Sequence, residues 1–262
     1  YTKKGTGSPI LLIHDTLPGA SGYEWSKIED ELAIDHTVYT VDLLGCGRSD
    51  KSSITYTNFV YVQMISDFIK KIIGQKTDVI ASGFSGSFVT MACHNEKELF
   101  NKIMLVNPPS LTQLKQMPNR KDRLLKAALE IPIFGTLVYH MIVSRDNINN
   151  LFIEKMYYNP FHVDNQMADA YYEAAHKGGY YTRFLYSSLA AKYININICH
   201  ALKALDNSIY IVEGETEPNG KAVTDDYCAS NPAIEVSVLK ETKHLPHVEA
   251  PEAFLEQVKI FF

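Results

Sequence analysis

A serine, a glutamate and a histidine, Ser85, Glu217 and His244, are the side chains with the clearest chemistry in this sequence. A serine hydroxyl is a weak nucleophile near neutral pH, and it needs an adjacent base, usually a histidine that a carboxylate orients. Ser85 lies in the segment S-G-F-S-G-S of residues 82–87, where Gly83 and Gly86 are small enough for a sharp turn. We therefore predict that Ser85 is a nucleophile.

The residues on either side of Ser85 in the sequence predict a strand, a tight turn and a helix, in that order. An apolar run at 78–81 precedes the turn, and residues 88–94 can continue as a helix. The segment matches G-x-S-x-G at four of five positions, with Ser87 where the last glycine is expected. Turns rich in Gly and Ser also form for purely geometric reasons, so the six residues alone leave both interpretations open.

Two histidines near the end of the chain, His244 and His247, are candidates for the base. They follow the strand-like run 234–239 and precede an amphipathic segment at 252–261. Both therefore fall in a loop at the edge of the predicted sheet. A histidine in such a loop is more often a solvated residue than a base, so the loop by itself does not identify one.

Short apolar runs that alternate with helical segments predict an α/β fold with a mostly parallel central sheet. The predicted strands are 10–13, 38–41, 78–81, 103–106 and 208–212, and a helix is predicted for 61–73. Residues 110–205 contain no comparable strand and are rich in tyrosine. We predict a helical cap, or lid, over a pocket; the alternative is a plain layer of packed helices.

Composition excludes several classes of function. The chain has 262 residues, 46% of them hydrophobic, and a net charge of −5, which fits neither a nucleic-acid-binding protein nor a disordered chain. The four cysteines form no Cys-x-x-Cys pair, which argues against a zinc or redox site. The longest apolar stretch, 124–143, is interrupted by charged residues, Pro and Gly, and is not predicted to span a membrane.

The first residue, Tyr1, leads almost directly into a predicted buried strand. We expect that an upstream segment has been removed, and that the protein is cytoplasmic or is tethered to a membrane or exported through that segment. The oligomeric state is left open, and a monomer is compatible with the sequence.

Four segments, in order, resemble those of the α/β-hydrolase family. They are L-L-I-H-D at 11–15, D-L-L-G-C-G-R-S at 42–49, G-E-T-E-P at 214–218 and K-H-L-P-H-V-E-A-P-E at 243–252. The candidate residues also occur in the family's order, serine, acid, histidine. The resemblance implies an α/β-hydrolase fold, with a core formed by 1–109 and 206–262 and a cap at 110–205 inserted after the sixth strand.

The resemblance also assigns roles to single residues. It implies Ser85 as nucleophile, His244 as base, Glu217 as the orienting acid, and the backbone N–H groups of Thr16 and Gly86 as the donors that stabilise an oxyanion. His247 would support the site. It implies no cofactor and no metal.

Three positions depart from the family pattern. Ser87 replaces a glycine, Glu217 replaces the commoner aspartate, and Asp15 follows His14 where the family has glycine. The last is the most serious, because a carboxylate that points into the oxyanion site would repel the developing negative charge, whereas one that points away would only cap the turn.

These observations predict a serine hydrolase that cleaves a carboxylic ester or a related small acyl substrate. The alternatives are other uses of the same triad, namely carbon–carbon hydrolysis, aminopeptidase action or acyl transfer. A ligand-binding protein that has kept the fold and lost catalysis is a further alternative, motivated by Asp15 and Ser87. A dehalogenase or epoxide hydrolase is disfavoured, because those enzymes carry an aspartate nucleophile at the position assigned to Ser85.

Overall fold

The apolar runs form one seven-stranded sheet in the computed structural model, which describes residues 1–262. The strands are β1 (Thr2–Lys4), β2 (Ser8–Ile13), β3 (His36–Val41), β4 (Thr77–Ser82), β5 (Phe100–Val106), β6 (Ile209–Gly214) and β7 (Glu235–Leu239). Their spatial order is β1-β3-β2-β4-β5-β6-β7, and only the edge pair β1–β3 is antiparallel. The predicted α/β class with a mostly parallel sheet is confirmed.

The helices cover both faces of this sheet and fill the insertion. They are α1 (Glu29–Leu32), α2 (Asn58–Phe68), α3 (Ser85–Asn95), α4 (Leu111–Leu114), α5 (Arg120–Glu130), α6 (Pro132–Ile142), α7 (Arg145–Leu151), α8 (Asn165–His176), α9 (Arg183–Ala190), α10 (Cys199–Ala204), α11 (Gly220–Ser230), α12 (Pro246–Glu249) and α13 (Pro251–Phe261).

Strand β2 shows why these runs are apolar throughout. Leu11 and Ile13 join the larger core cluster on one face of the sheet, and Ile10 and Leu12 join the cluster on the other. Successive side chains of a strand point to opposite faces, so a strand covered on both faces needs apolar residues at every position.

The insertion between β5 and β6 consists of helices α4 to α10. The chain has seven strands, and the insertion lies between the fifth and the sixth of them, at the stretch of chain for which the cap, 110–205, was predicted. Its own core has 13 buried residues, including Tyr139, Tyr157 and Tyr171. These tyrosines serve as packing residues, in line with the plainer of the two interpretations of the tyrosine-rich segment.

No single helix is long and apolar enough to cross a membrane. Helices α5 and α6 reach the required length and hydropathy only as a pair, and the pair is bent by 96°.

The carboxyl ends of the parallel strands bring the candidate residues to one edge of the sheet. Ile13 pairs with Ala81, so the turns that follow β2 and β4 lie side by side. Glu217 follows β6, and His244 follows β7. Ligands of open α/β sheets bind at this edge.

Candidate active site

His244 lies between two carboxylates. Its Nδ1 is 3.2 Å from Oε1 of Glu217, and its Nε2 is 3.5 Å from Oδ2 of Asp15. The backbone of the loop is fixed as well, because the His244 N–H donates to the carbonyl of Met156 and the Asn107 side-chain amide donates to the His244 carbonyl. The structure thus brings the predicted base and acid together and adds a second acid, Asp15.

The two carboxylates determine the charge of His244. Burial lowers the pKa of the imidazole, but hydrogen bonds with Asp15 and Glu217, together with their negative charges, outweigh burial and raise the pKa from 6.5 to about 10. His244 is therefore a cation at neutral pH.

Ser85 is not part of this arrangement. It is the first residue of α3, it is completely buried, and its hydroxyl donates to the carbonyl of His14 at 2.6 Å and lies 3.1 Å from the hydroxyl of Thr16. It forms no hydrogen bond with His244. The structure therefore does not bring the Ser85 hydroxyl to the predicted base.

The tip of the turn after β4 is Gly83, two residues before Ser85. Gly83 has φ +53°, whereas Ser85 has the ordinary backbone of a helix. A Cβ atom on Gly83 would lie 2.2 Å from Cγ of Asp15 and within 2.5 Å of both carboxylate oxygens. The Asp15 carboxylate thus fills the space into which a side chain at the tip of this turn would project.

The Asp15 carboxylate also accepts hydrogen bonds from two backbone N–H groups of the site. Oδ1 of Asp15 accepts hydrogen bonds from the N–H of Thr16 at 2.6 Å and from the N–H of Phe84 at 2.8 Å. The Thr16 amide lies at the site as predicted. Gly86 does not contribute, because its N–H donates to the carbonyl of Gly83 in the first turn of α3; Phe84 provides the second donor instead.

A buried acid–base pair lies behind Asp15. Glu24 and His247 are both fully buried, with Oε1 of Glu24 3.3 Å from Nε2 of His247. The other Glu24 oxygen accepts from the Asp15 N–H and from the hydroxyl of Tyr171, both at 3.3 Å. Burial raises the pKa of Glu24, but the pairing with His247 outweighs burial and lowers it. Glu24 thus links the Asp15 backbone to helix α8 of the insertion.

A cavity of about 520 Å³ opens over this site. Its walls include Asp15, Gly83, Phe84, Glu217 and His244, with Lys155 and Met156 from the insertion. Neither Ser85 nor any tyrosine lines it. A molecule bound in this cavity therefore meets Asp15 and the His244–Glu217 pair, but not Ser85.

One more acid in the wall, Glu213, is nearly fully buried, and its Oε2 has no hydrogen-bond partner. Burial and the nearby charge of Glu217 raise the pKa of this carboxyl group. Glu213 thus adds a further carboxyl group to the cavity wall, beside Asp15 and Glu217.

The roles of Phe84 and Gly83 were not predicted from the sequence, and the direction of the Asp15 side chain was left open. One signal was available in the sequence: among residues 82–87, Gly83 and Gly86 tolerate a positive φ without strain, and the tip of a tight turn requires one. Placing Gly83 at the tip would have moved the pattern by two residues and left the tip with no side chain.

Comparison with known proteins gives a consistent picture of the fold. A family model described as "Alpha/beta hydrolase family" matches residues 10–257. A 2-hydroxy-6-oxo-6-(2'-aminophenyl)hexa-2,4-dienoic acid hydrolase from Metapseudomonas resinovorans is 29% identical over 113 residues, which are 42% of this chain and 39% of that protein. A soluble epoxide hydrolase from Corynebacterium sp. (strain C12) is 24% identical over 107 residues, 41% of this chain and 37% of that protein.

Among solved structures, a serine hydrolase involved in carbazole degradation superposes with a TM-score of 0.79 at 18% identity. The superposition covers 99% of this chain and 92% of that one. The sequence matches span less than half the length of the curated relatives, and the structural match extends the shared fold to nearly the whole chain.

Proposed function

This chain belongs to the α/β-hydrolase family, and on that premise we propose that it hydrolyses a small organic electrophile with Asp15 as the attacking group. The observation that carries the proposal is the position of the Asp15 carboxylate. One oxygen accepts from the Thr16 and Phe84 amides, and the other faces Nε2 of His244 in the cavity wall. A carboxylate in this position is a nucleophile beside an acid–base group.

Cleavage of an ester by Ser85, the function expected from the sequence, lacks support at two points. The Ser85 hydroxyl is outside the cavity. The amides that would stabilise the oxyanion of an acyl substrate already bind Asp15, and its negative charge opposes a second anion there. Attack on a saturated carbon does not need these donors, because no charge develops on a carbonyl oxygen in that step.

An epoxide is the substrate class that fits best. In the first step Oδ2 of Asp15 forms a bond to a ring carbon, the carbon–oxygen bond of the ring breaks, and the ring oxygen takes the proton of cationic His244. The products are an ester of Asp15 and a neutral imidazole. The raised pKa of His244 supplies that proton at neutral pH.

The second step uses the groups that the first step leaves behind. Neutral His244 takes a proton from water, and the oxygen of this water attacks the carbonyl carbon of the ester. The charge that develops on Oδ1 lies against the Thr16 and Phe84 amides. As the intermediate collapses, His244 gives its proton to the departing alkoxide, so that a diol is released, and the proton left on the Asp15 carboxyl group then passes to the imidazole. The sum is one epoxide and one water converted to one diol.

Two further observations support this substrate class. A cavity of about 520 Å³ is within the range of small-molecule sites. One of the relatives, at 24% identity, is a soluble epoxide hydrolase. The sequence disfavoured this class because Ser85 was assigned to the nucleophile position, whereas the Ser85 hydroxyl donates to the His14 carbonyl and does not line the cavity.

A binding protein without turnover is the second candidate. It is favoured by the low exposure of Asp15, 4%, and by the saturation of Oδ1 with two hydrogen bonds. In that case the Asp15 carboxylate only fills the space beside Gly83, and a bound ligand is released unchanged.

Isotope labelling separates the two candidates. The protein is incubated with styrene oxide in water enriched in ¹⁸O over many turnovers, and the peptide that contains Asp15 is analysed by mass spectrometry. We expect ¹⁸O in the Asp15 carboxylate, because water enters at the carbonyl carbon of the ester. Asp15→Asn should lower the rate by about a thousandfold or more, in line with the loss of a covalent nucleophile.

The matched control is Asp42→Asn, which removes a partly buried carboxylate that accepts backbone hydrogen bonds in the loop after β3, away from the cavity. Diol formation without label in Asp15 would show that water attacks the substrate directly. Unchanged styrene oxide bound in the cavity, with no diol, would favour the binding protein.

A further inference from the structure

The corner between α5 and α6 carries an exposed apolar surface. Its residues are Leu124 and Leu125 on α5, Ile131, Ile133 and Phe134 at the corner, and Leu137 and Met141 on α6. Ile133, Leu124 and Met141 are 78%, 72% and 70% exposed. We call these seven residues the corner surface. Isolated exposed apolar residues are common in folded proteins, but seven of them between positions 124 and 141 of one helix pair indicate a binding surface.

A basic cluster accompanies the corner surface. Lys115, Arg120, Lys121 and Arg123 are all exposed, and they lie just before α5 or in its first turn. The ion pairs of α5 involve other side chains, Lys126 with Glu130 and Asp122 with Lys192. These four cations therefore have no acidic partner, on a chain whose net charge is −5.

The two features together identify the occupant. A partner protein that buries only apolar groups would leave the basic cluster unpaired. A nucleic acid would pair with the basic cluster but leave the apolar corner exposed. Helices that lie in the surface of a bilayer combine apolar side chains, which enter the acyl region, with Lys and Arg, which face anionic headgroups. We propose that the corner surface and the basic cluster dock this protein on an anionic membrane surface.

The corner surface lies, along the chain, between residues that line the cavity. Ser110 and Gln113, just before it, and Leu151, Lys155 and Met156, beyond it, line the cavity. Residues on both sides of the corner surface in the sequence therefore contribute to the cavity wall. Docking at this corner therefore brings the segment that carries these cavity residues to the membrane surface.

Flotation with vesicles tests the proposal. The whole protein is mixed with vesicles of phosphatidylcholine alone or of phosphatidylcholine with phosphatidylserine, and the bound fraction is measured at low and at high salt. We expect binding to the vesicles that contain phosphatidylserine, reduced by salt. Arg120→Gln/Lys121→Gln/Arg123→Gln should weaken binding about 100-fold, because each cation contributes roughly a factor of five near an anionic surface.

The apolar contribution is tested with Ile133→Ser/Phe134→Ser/Leu137→Ser. We expect a loss on the order of 100-fold or more, since burial of each large apolar side chain contributes about a factor of ten. The matched control is Ile34→Ser/Phe59→Ser/Ile260→Ser, which removes three exposed apolar side chains outside the insertion and should bind like the unmodified protein.

Circular dichroism and urea midpoints verify that all variants are folded. The proposal is overturned if the protein stays unbound with phosphatidylserine vesicles, or if the corner variant binds as well as the control variant. It is also overturned if the corner variant only dissociates a dimer, because a second copy would then cover the surface. None of these results depends on turnover, so they are independent of the proposed hydrolysis.

Discussion

Asp15 and Gly83 come from the turns after neighbouring strands and share one small volume. The absence of a side chain at Gly83 leaves room for the Asp15 carboxylate, and the left-handed backbone of Gly83 keeps the turn tight. Neither residue can be understood without the other. The pair can therefore be exchanged for a different pair that fills the same space.

The variant Asp15→Gly/Gly83→Ser should create a serine nucleophile. The new hydroxyl would occupy the space of the present carboxylate, which lies 3.5 Å from Nε2 of His244, and the Thr16 and Phe84 amides would become free. We expect a fluorophosphonate probe to label this double variant and to leave the unmodified protein unlabelled, as measured by mass spectrometry.

Gly83→Ser alone is the control for this exchange. Its Cβ would collide with the carboxylate, and a non-glycine residue in the left-handed region costs about 1–3 kcal/mol. It should unfold at lower urea concentration than the double variant and should resist the probe. Labelling of the unmodified protein would contradict the assignment.

Ser85→Ala should leave activity within about twofold, because the hydroxyl lies outside the cavity. The loss of its hydrogen bond to the His14 carbonyl should lower the free energy of unfolding by about 1 kcal/mol, the net value of a typical hydrogen bond. Steady-state kinetics on styrene oxide and urea unfolding measure the two effects. A loss of activity comparable with that of Asp15→Asn would restore Ser85 as a candidate nucleophile.

At the scale of single residues, the sequence predicts the pair of His244 and Glu217 but not the tip of the turn after β4. The pair of His244 with Glu217 follows from the motif order, because each side chain sits in a turn whose place the strands fix. The segment 82–87 holds two small-residue patterns offset by two positions, and only the backbone angles of Gly83 and Ser85 distinguish them. A missing side chain at the tip leaves nothing for a motif to recognise.

At the scale of elements, the turn after β2 depends on the buried pair of Glu24 and His247. Glu24 accepts from the Asp15 N–H, and Trp25 stacks on the His247 ring at 4.3 Å. The side chains of this layer come from the short helical turn at 22–25, from α8 and from α12. The position of the Asp15 carboxylate is thus set by three separate parts of the chain.

Glu24→Gln should lower the free energy of unfolding by about 3–5 kcal/mol, because it leaves His247 without its acid in a fully buried site. Urea unfolding measures the change. Glu31→Gln is the matched control, since it removes a half-exposed ion pair with Lys259 and should change the free energy of unfolding by less than about 1 kcal/mol. Equal effects of the two changes would argue against a structural role for the buried pair.

The strands were the most predictable elements. Apolar runs at 10–13, 38–41, 78–81, 103–106 and 208–212 all lie in strands or at their ends, because burial on both faces leaves few other residue types possible. The tyrosine-rich insertion was less informative. Its helices follow from periodicity, but whether a tyrosine packs inside, as Tyr171 does, or lies outside, as Tyr180 does, depends on contacts between distant helices.

At the scale of the whole molecule, the charge of His244 makes stability depend on pH. Its pKa is raised to about 10 in the folded state, above the ordinary value of 6.5. The folded state therefore holds the proton more tightly, and the resulting stabilisation is fully present below about pH 6.5 and is lost as the pH rises through about 10.

We expect His244→Asn to be less stable than the unmodified protein by on the order of a few kcal/mol near pH 6, with the difference shrinking towards pH 10. Urea unfolding across this pH range measures it. His140→Asn, a change at an exposed histidine of α6, should give no such trend. A difference that grows with pH would mean that His244 is neutral in the folded protein.

The pairing of β2 with β4 also has a consequence for descent. Under the proposed function, a lineage that changes from serine to carboxylate chemistry at this site must alter both positions, and each single step is harmful: a serine at 83 collides with Asp15, and a glycine at 15 removes the proposed attacking group. Selection for turnover therefore cannot convert one chemistry into the other through single substitutions. Intermediates without activity can do so, and this fold can therefore pass through a binding protein on the way from one enzyme to another.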